Sequence, residues 1–124
     1  MNNQLKDISA LTKTYDLLLW IIPQLEKFPK GQKYLLGDRI ETLVLDILDL
    51  LIQAAYTKDK THLLRNANLK LEQLRYLIRL VTDLKYLSIR KYEYLSKCLN
   101  EIGVEIGGWL RFQTAPGKKG EAGG

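Results

Sequence analysis

The chain contains a single cysteine and a single histidine in 124 residues, and each scarcity removes a class of chemistry. With Cys98 alone no internal disulfide can form, and nothing in the composition points to an oxidising compartment. Cys98 lies between Leu95 and Leu99 in a helical apolar pattern. A small buried thiol is therefore expected there, and no base of the required type stands at helical spacing to activate it. Metal-binding bundles place Glu-x-x-His motifs on facing helices, whereas His62 stands alone near a predicted helix start, so neither a metal nor another cofactor is expected. Strand-like alternation is missing too, and with it any glycine-rich phosphate loop that would follow a strand. The apolar stretch over residues 17–22 stops at Pro23, far short of the roughly 20 residues that a membrane span needs. The polar start, Met1-Asn2-Asn3-Gln4, lacks the charged-then-apolar layout of a signal peptide, and a cytoplasmic protein is expected.

What the chain does have is helical periodicity. Apolar residues recur in three–four steps at Ile8, Leu11, Tyr15, Leu18, Ile22 and Leu25, predicting a first helix over about residues 9–28 that is kinked at Pro23. Phe28-Pro29-Lys30-Gly31 ends it. A second helix over about 32–56 has its seam at Leu36, Ile40, Leu43, Ile47, Leu50 and Ala54. Leu35, Val44, Leu45, Leu48, Leu51 and Ile52 widen that apolar surface beyond one seam, which suggests burial against another subunit. A third helix over about 60–84, with Asp59 as its expected cap, repeats Leu64, Ala67, Leu71, Leu74, Ile78 and Val81. Leu69, Tyr76 and Leu80 fall off that seam and suggest a second contact surface. The fourth, over about 88–112 with Ser88 as cap, places Ile89, Tyr92, Leu95, Leu99, Ile102, Ile106 and Trp109 in register. Residues 114–124 read as a flexible basic tail. Residues 1–113 thus predict an all-α, antiparallel up-down-up-down four-helix bundle.

Charge is distributed unevenly. The net charge is +5, yet residues 1–62 hold eight Lys/Arg against eight Asp/Glu, and residues 63–124 hold eleven against six. A basic half calls for an anionic partner such as nucleic acid, an acidic protein or anionic lipid, set against ordinary solubilising charge. Arg65, Asn68, Arg75 and Arg79 form a stripe beside the third helix's seam, Lys85 follows, and Arg90 and Lys91 open the fourth helix. The hairpin brings Arg79, Lys85, Arg90 and Lys91 to one end, with Tyr86 and Tyr92 interleaved as possible stacking platforms for unpaired bases. Glu72 and Glu93 are the candidate neutralising partners.

The remaining candidates have simpler readings. Asp46 and Asp49 share a helix face and read as solvated surface. Gly103 and Gly107, four apart, read as a place where another helix or subunit approaches closely. Trp20 and Trp109 read as core or interface anchors.

Several segments together resemble a known family. These are Tyr15-Asp16-Leu17-Leu18-Leu19-Trp20, Pro23 with Leu25-Glu26-Lys27-Phe28-Pro29, Leu36-Gly37-Asp38-Arg39-Ile40-Glu41, and Glu101-Ile102-Gly103 with Gly107-Gly108-Trp109-Leu110. In order and spacing they are similar to the accessory variability proteins (Avd) of diversity-generating retroelements and to the bundle proteins encoded in 23S rRNA intervening sequences, over about residues 11–112. The resemblance implies a non-catalytic four-helix subunit that forms a basic homopentamer and binds a reverse transcriptase and RNA or an RNA–DNA hybrid during mutagenic retrohoming. In this expectation the nucleic-acid contacts are Arg65, Arg75, Arg79, Lys85, Arg90 and Lys91, and the packing or oligomer contacts are Leu69, Tyr76, Leu80, Gly103, Gly107 and Trp109. The alternative is a protein-docking bundle of the rRNA-insert type that touches no nucleic acid.

Overall fold

The computed structural model describes residues 8–114, which form helices and connections without a strand among them. Helix α1 spans Ser9–Leu25. A helical turn over Lys30–Gln32 and a π-helical turn over Lys33–Gly37 lead into α2, Asp38–Tyr56, followed by α3, Thr61–Asp83, and α4, Ile89–Thr114. Each helix packs on the next, and α4 closes the ring against α1. Leu71 lies by Gly103 while Arg75 reaches Asn100, so α3 and α4 run antiparallel. The fold is the all-α four-helix bundle read from the sequence.

Core burial follows the expected seams most closely in α3. Leu64, Ala67, Leu71, Leu74, Ile78 and Val81 are all buried. In α2 the seam from Ile40 to Ala54 is buried, and Val44 and Leu51 from the surplus apolar surface are buried with it. The subunit's own core therefore takes up part of the surplus. Leu35 and Leu45 remain exposed, and Leu48 and Ile52 are half-buried.

The first helix is rotated from its expected register. Ala10, Thr14, Leu17 and Ile21 are buried together with Leu11, Leu18 and Leu25, while Tyr15 and Ile22 face solvent. Thr14 explains the rotation: its hydroxyl donates to the Ala10 carbonyl at 2.8 Å, so a polar residue enters the core with its hydrogen bond made. The helix also ends at Leu25, two residues past Pro23, rather than running on to residue 28. Proline near a helix end removes few backbone bonds, so Pro23 sits in a closing turn.

Two further boundaries differ from expectation. Helix α3 starts at Thr61 after Lys60, with no side-chain cap from Asp59, and the second helix begins through a π turn that leaves Tyr34 and Leu35 exposed. Ile89, placed on the α4 seam by the sequence, is also exposed. Ser88 does cap α4, its Oγ accepting from the Lys91 backbone N–H at 3.2 Å. Helix α4 runs through Thr114; the tail expected from there onward otherwise lies outside the described residues. No helix among the described residues is long and apolar enough to cross a membrane.

Candidate nucleic-acid interface

Arg75 stands where the buried face of α3 meets α4, and its guanidinium is already committed. Nη1 donates to Asn100 Oδ1 at 2.6 Å, Nη2 to the Leu99 carbonyl at 3.4 Å, and Nε to Glu72 Oε2 at 3.1 Å. Three partners on two helices make this side chain a clamp between α3 and α4, and Glu72 neutralises its charge. Arg75, expected among the nucleic-acid contacts with Glu72 as a candidate neutralising partner, is thus held within the subunit by these three partners.

Glycine makes the clamp possible. A Cβ on Gly103 would stand 3.1 Å from Arg75 Nη2 and 3.3 Å from Leu71 Cδ2, closer than side chains ordinarily pack. The close approach read from the Gly103–Gly107 spacing is thus an approach of α3 within the same subunit. Gly107 faces only the end of Arg111, at 3.5 Å. The two glycines floor an open groove of about 450 Å³ between α3 and α4, lined in part by Asn68, Arg75, Asn100 and Arg111. Arg111 escaped the sequence reading because it lies beyond the basic cluster, in the last turn of α4. Its signal was its place four residues after Gly107, on the same face.

The other basic residues are differently placed. Among the described residues no ion pair engages Arg65, Arg79, Lys85, Arg90 or Lys91, and Glu93 pairs with none of them. Arg65 and Arg79 are exposed on the α4 side of α3, near the arc of Arg75. Arg90 recurs at seven-residue spacing with Lys97 and Val104 on the outer side of α4, all exposed. Lys91 shares its arc with Tyr94 and Cys98, on the flank that meets α1. Arg79, Lys85, Arg90 and Lys91 therefore share the hairpin end of the bundle but spread over more than one side, while Arg65 lies toward the other end, near the start of α3.

Lys85 occupies a strained position. Its φ is 72°, in the left-handed region that disfavours side chains bearing a Cβ. The Lys85 N–H donates to the Thr82 carbonyl and the Tyr86 N–H to the Val81 carbonyl, both at 2.9 Å, which is the Schellman closure of a helix end where glycine is usual. The chain thus holds a lysine, exposed, at the tip of the α3–α4 hairpin.

The tyrosines do not serve as open platforms. Tyr86 packs on Phe28, ring centroids 5.9 Å apart, and both Tyr86 and Tyr92 lie against the core. The base-stacking expectation for these two rings is not met, since each has its apolar body turned inward. Tyr94 stacks on Trp20 at 4.8 Å, which makes Trp20 an anchor between α1 and α4. The neighbouring Cys98 side chain holds the Tyr94 phenol above its ordinary value of 10.0. Among the described residues no three His, Cys, Asp or Glu side chains converge in a set fit for a metal.

The expected packing residues divide in two. Trp109 is half-buried and lines a recess with Ile8, Lys60 and Phe112. Leu69, Tyr76 and Leu80 are 58%, 71% and 42% exposed, an apolar line on α3 left open among the described residues.

A family model described as bAvd-like matches residues 9–113, which is the whole bundle. The chain belongs to the bAvd-like family. Its place is with the accessory variability proteins of diversity-generating retroelements, and such accessory proteins are in general non-catalytic. No curated protein matches the chain. The bAvd-like bundle presents two kinds of surface, the cationic α3–α4 side and the apolar faces left exposed among the described residues.

Proposed function

We propose that this bAvd-like protein is a nucleic-acid-binding accessory protein of a diversity-generating retroelement, without enzymatic activity of its own. In this reading it acts in the cytoplasm as a basic homo-oligomer, a pentamer. The oligomer binds the reverse transcriptase and holds template RNA or its cDNA during mutagenic retrohoming. The observation that carries the reading is the set of exposed cations with no ion pair among the described residues, Arg65, Arg79, Lys85 and Arg90, on α3, the hairpin tip and α4. Half-buried Lys91 and exposed Lys97 add to it. Such cations bind phosphates by releasing counterions, and repeating a weak site around an oligomer multiplies its effect.

The test is a mobility-shift titration with single-stranded RNA and an RNA–DNA hybrid across a salt series. Affinity falls steeply with salt and varies little with sequence. Neutralising Arg65, Arg79, Arg90 and Lys91 to Gln flattens the log–log salt slope by about 0.7 per lost single-strand contact. Unchanged affinity in that variant overturns the reading. A protein partner retained through high salt and nuclease treatment, with no nucleic acid bound, favours a protein-docking bundle instead.

A further inference from the structure

The groove between α3 and α4 changes its charge along its length. Antiparallel packing sets Leu71 and Arg75 beside Gly103 and Asn100. Asn68 therefore stands level with Gly107, and Arg65 with Arg111. Toward the hairpin the flanking residues are Arg79, Asp83 and Glu93, one cation against two carboxylates. In the middle Glu72 neutralises Arg75. At the far end Arg65 and Arg111 are exposed, with no ion pair among the described residues. Glu105 is the one carboxylate over residues 61–71 and 104–114, and it lines recesses on the flank that meets α1. The far end is thus the cationic one, although the basic residues of the sequence gather at the hairpin.

Between those walls the floor is bare backbone. Gly103 and Gly107 lie one turn apart, about 6 Å along the axis at 1.5 Å per residue, beneath an open cavity of about 450 Å³. Arg111 folds back along its own helix. Its Nη1 stands 3.5 Å from the place of a Cβ on Gly107, and its Nη2 3.9 Å from that on Gly108. The guanidinium therefore lies in the groove instead of reaching away from the protein. Arg75, pinned by Asn100, Leu99 and Glu72, bounds the other end. Asn68 and Asn100 supply one side-chain amide to each wall.

Each of these features suits a part of one ligand. A flat ring can lie on helix backbone where no Cβ stands. Amide side chains offer donors and acceptors, so they meet the polar edge of a base without selecting one base over another. The guanidinium fork matches phosphate oxygens. Two cations at one end match successive phosphates of a strand, where the terminal carboxylate of a peptide would need only one. We propose that the groove holds one nucleotide unit of a single strand. Its base lies over the Gly103–Gly107 floor between Asn68 and Asn100, and its phosphate meets Arg111, with Arg65 beside it. This deepens the proposed function and rests on it, naming a slot away from the hairpin cluster.

A nuclear magnetic resonance titration of the full chain with adenosine and uridine 5′-monophosphates tests the proposal, with inorganic phosphate and tetraglycine as comparison probes. Both nucleotides shift the backbone amides of Gly103 and Gly107 and the side-chain amides of Asn68 and Asn100, and they bind more tightly than phosphate. Arg111→Gln weakens the nucleotides about tenfold, the loss of a charge-assisted hydrogen bond. Gly107→Leu abolishes their binding, because a helical leucine leans back over the preceding turn and fills the floor. Only the Arg111 end lies near Gly107, and circular dichroism verifies that this variant keeps its helices. Unmoved groove signals, phosphate or tetraglycine binding there as tightly as the nucleotides, or full nucleotide binding by Gly107→Leu overturns the proposal. Salt-dependent RNA binding that Gly107→Leu leaves unchanged sinks the slot and leaves nucleic-acid binding standing; a wild type that binds no RNA sinks both.

Discussion

Arg75 joins two helices, donating from Nη1 to Asn100 Oδ1 on α4 at 2.6 Å while Nε holds Glu72 Oε2 on its own helix at 3.1 Å. A residue that sequence pattern groups with phosphate-binding arginines is thereby a structural tie. Replacing Arg75 by Ala is expected to cost about 1–2 kcal/mol, the range of a charge-assisted hydrogen bond reduced for partial exposure. The double-mutant cycle with Asn100→Ala, read by urea denaturation, gives a coupling of at least about 0.5 kcal/mol. Additive effects would show that the tie contributes nothing.

The two groove glycines separate under substitution. Gly107→Ala gains about 0.5–1 kcal/mol, because alanine favours a helix and only a flexible arginine end stands nearby, at 3.5 Å. Gly103→Ala forfeits that gain, since its methyl meets the clamped Arg75 at 3.1 Å and buried Leu71 at 3.3 Å. Thermal melts order the three proteins with Gly107→Ala highest and Gly103→Ala no higher than wild type.

Lys85→Gly relieves the left-handed backbone at φ 72° and stabilises the subunit by about 1 kcal/mol. If Lys85 serves the polyanion, the same change weakens RNA binding at low salt, so stability and affinity move in opposite directions. Melting temperature and a binding titration on one preparation read both.

The Cys98 side chain, four residues on along α4, favours the neutral Tyr94 phenol and holds it above its ordinary value of 10.0. A raised folded-state value means that the folded chain holds the proton longer than the unfolded one. The associated stability is present below the unfolded value and is lost as pH rises through the folded one. Difference absorbance of the phenolate in Cys98→Ala shows one tyrosine midpoint moved down; an unmoved titration contradicts the influence of Cys98.

How far a seam can be read depends on how well its apolar arc is separated from any other on the same helix. In α3 the second apolar line, Leu69, Tyr76 and Leu80, lies on the opposite side from the continuous arc, and every residue from Leu64 to Val81 in the expected pattern is buried. In α1 two apolar arcs compete, and the arc that wins includes Thr14, whose hydroxyl is paid for by the Ala10 carbonyl. A hydropathy pattern counts threonine as polar and chooses the other arc. The cations behave alike: pattern places Arg65, Arg75 and Arg79 on one stripe, but only the partner helix reveals that Asn100 lies within reach of one of them.

Periodicity and charge counting were enough for the helical class, the positions of the four helices and the cationic second half, because these follow from local spacing along one chain. Which arc turns inward, which arginine is tied down and which rings are covered depend on residues far apart in sequence, such as Arg75 with Asn100, Tyr86 with Phe28 and Trp20 with Tyr94. Those outcomes are set by what the neighbouring helix presents at each level of the bundle, and that is a property of packing.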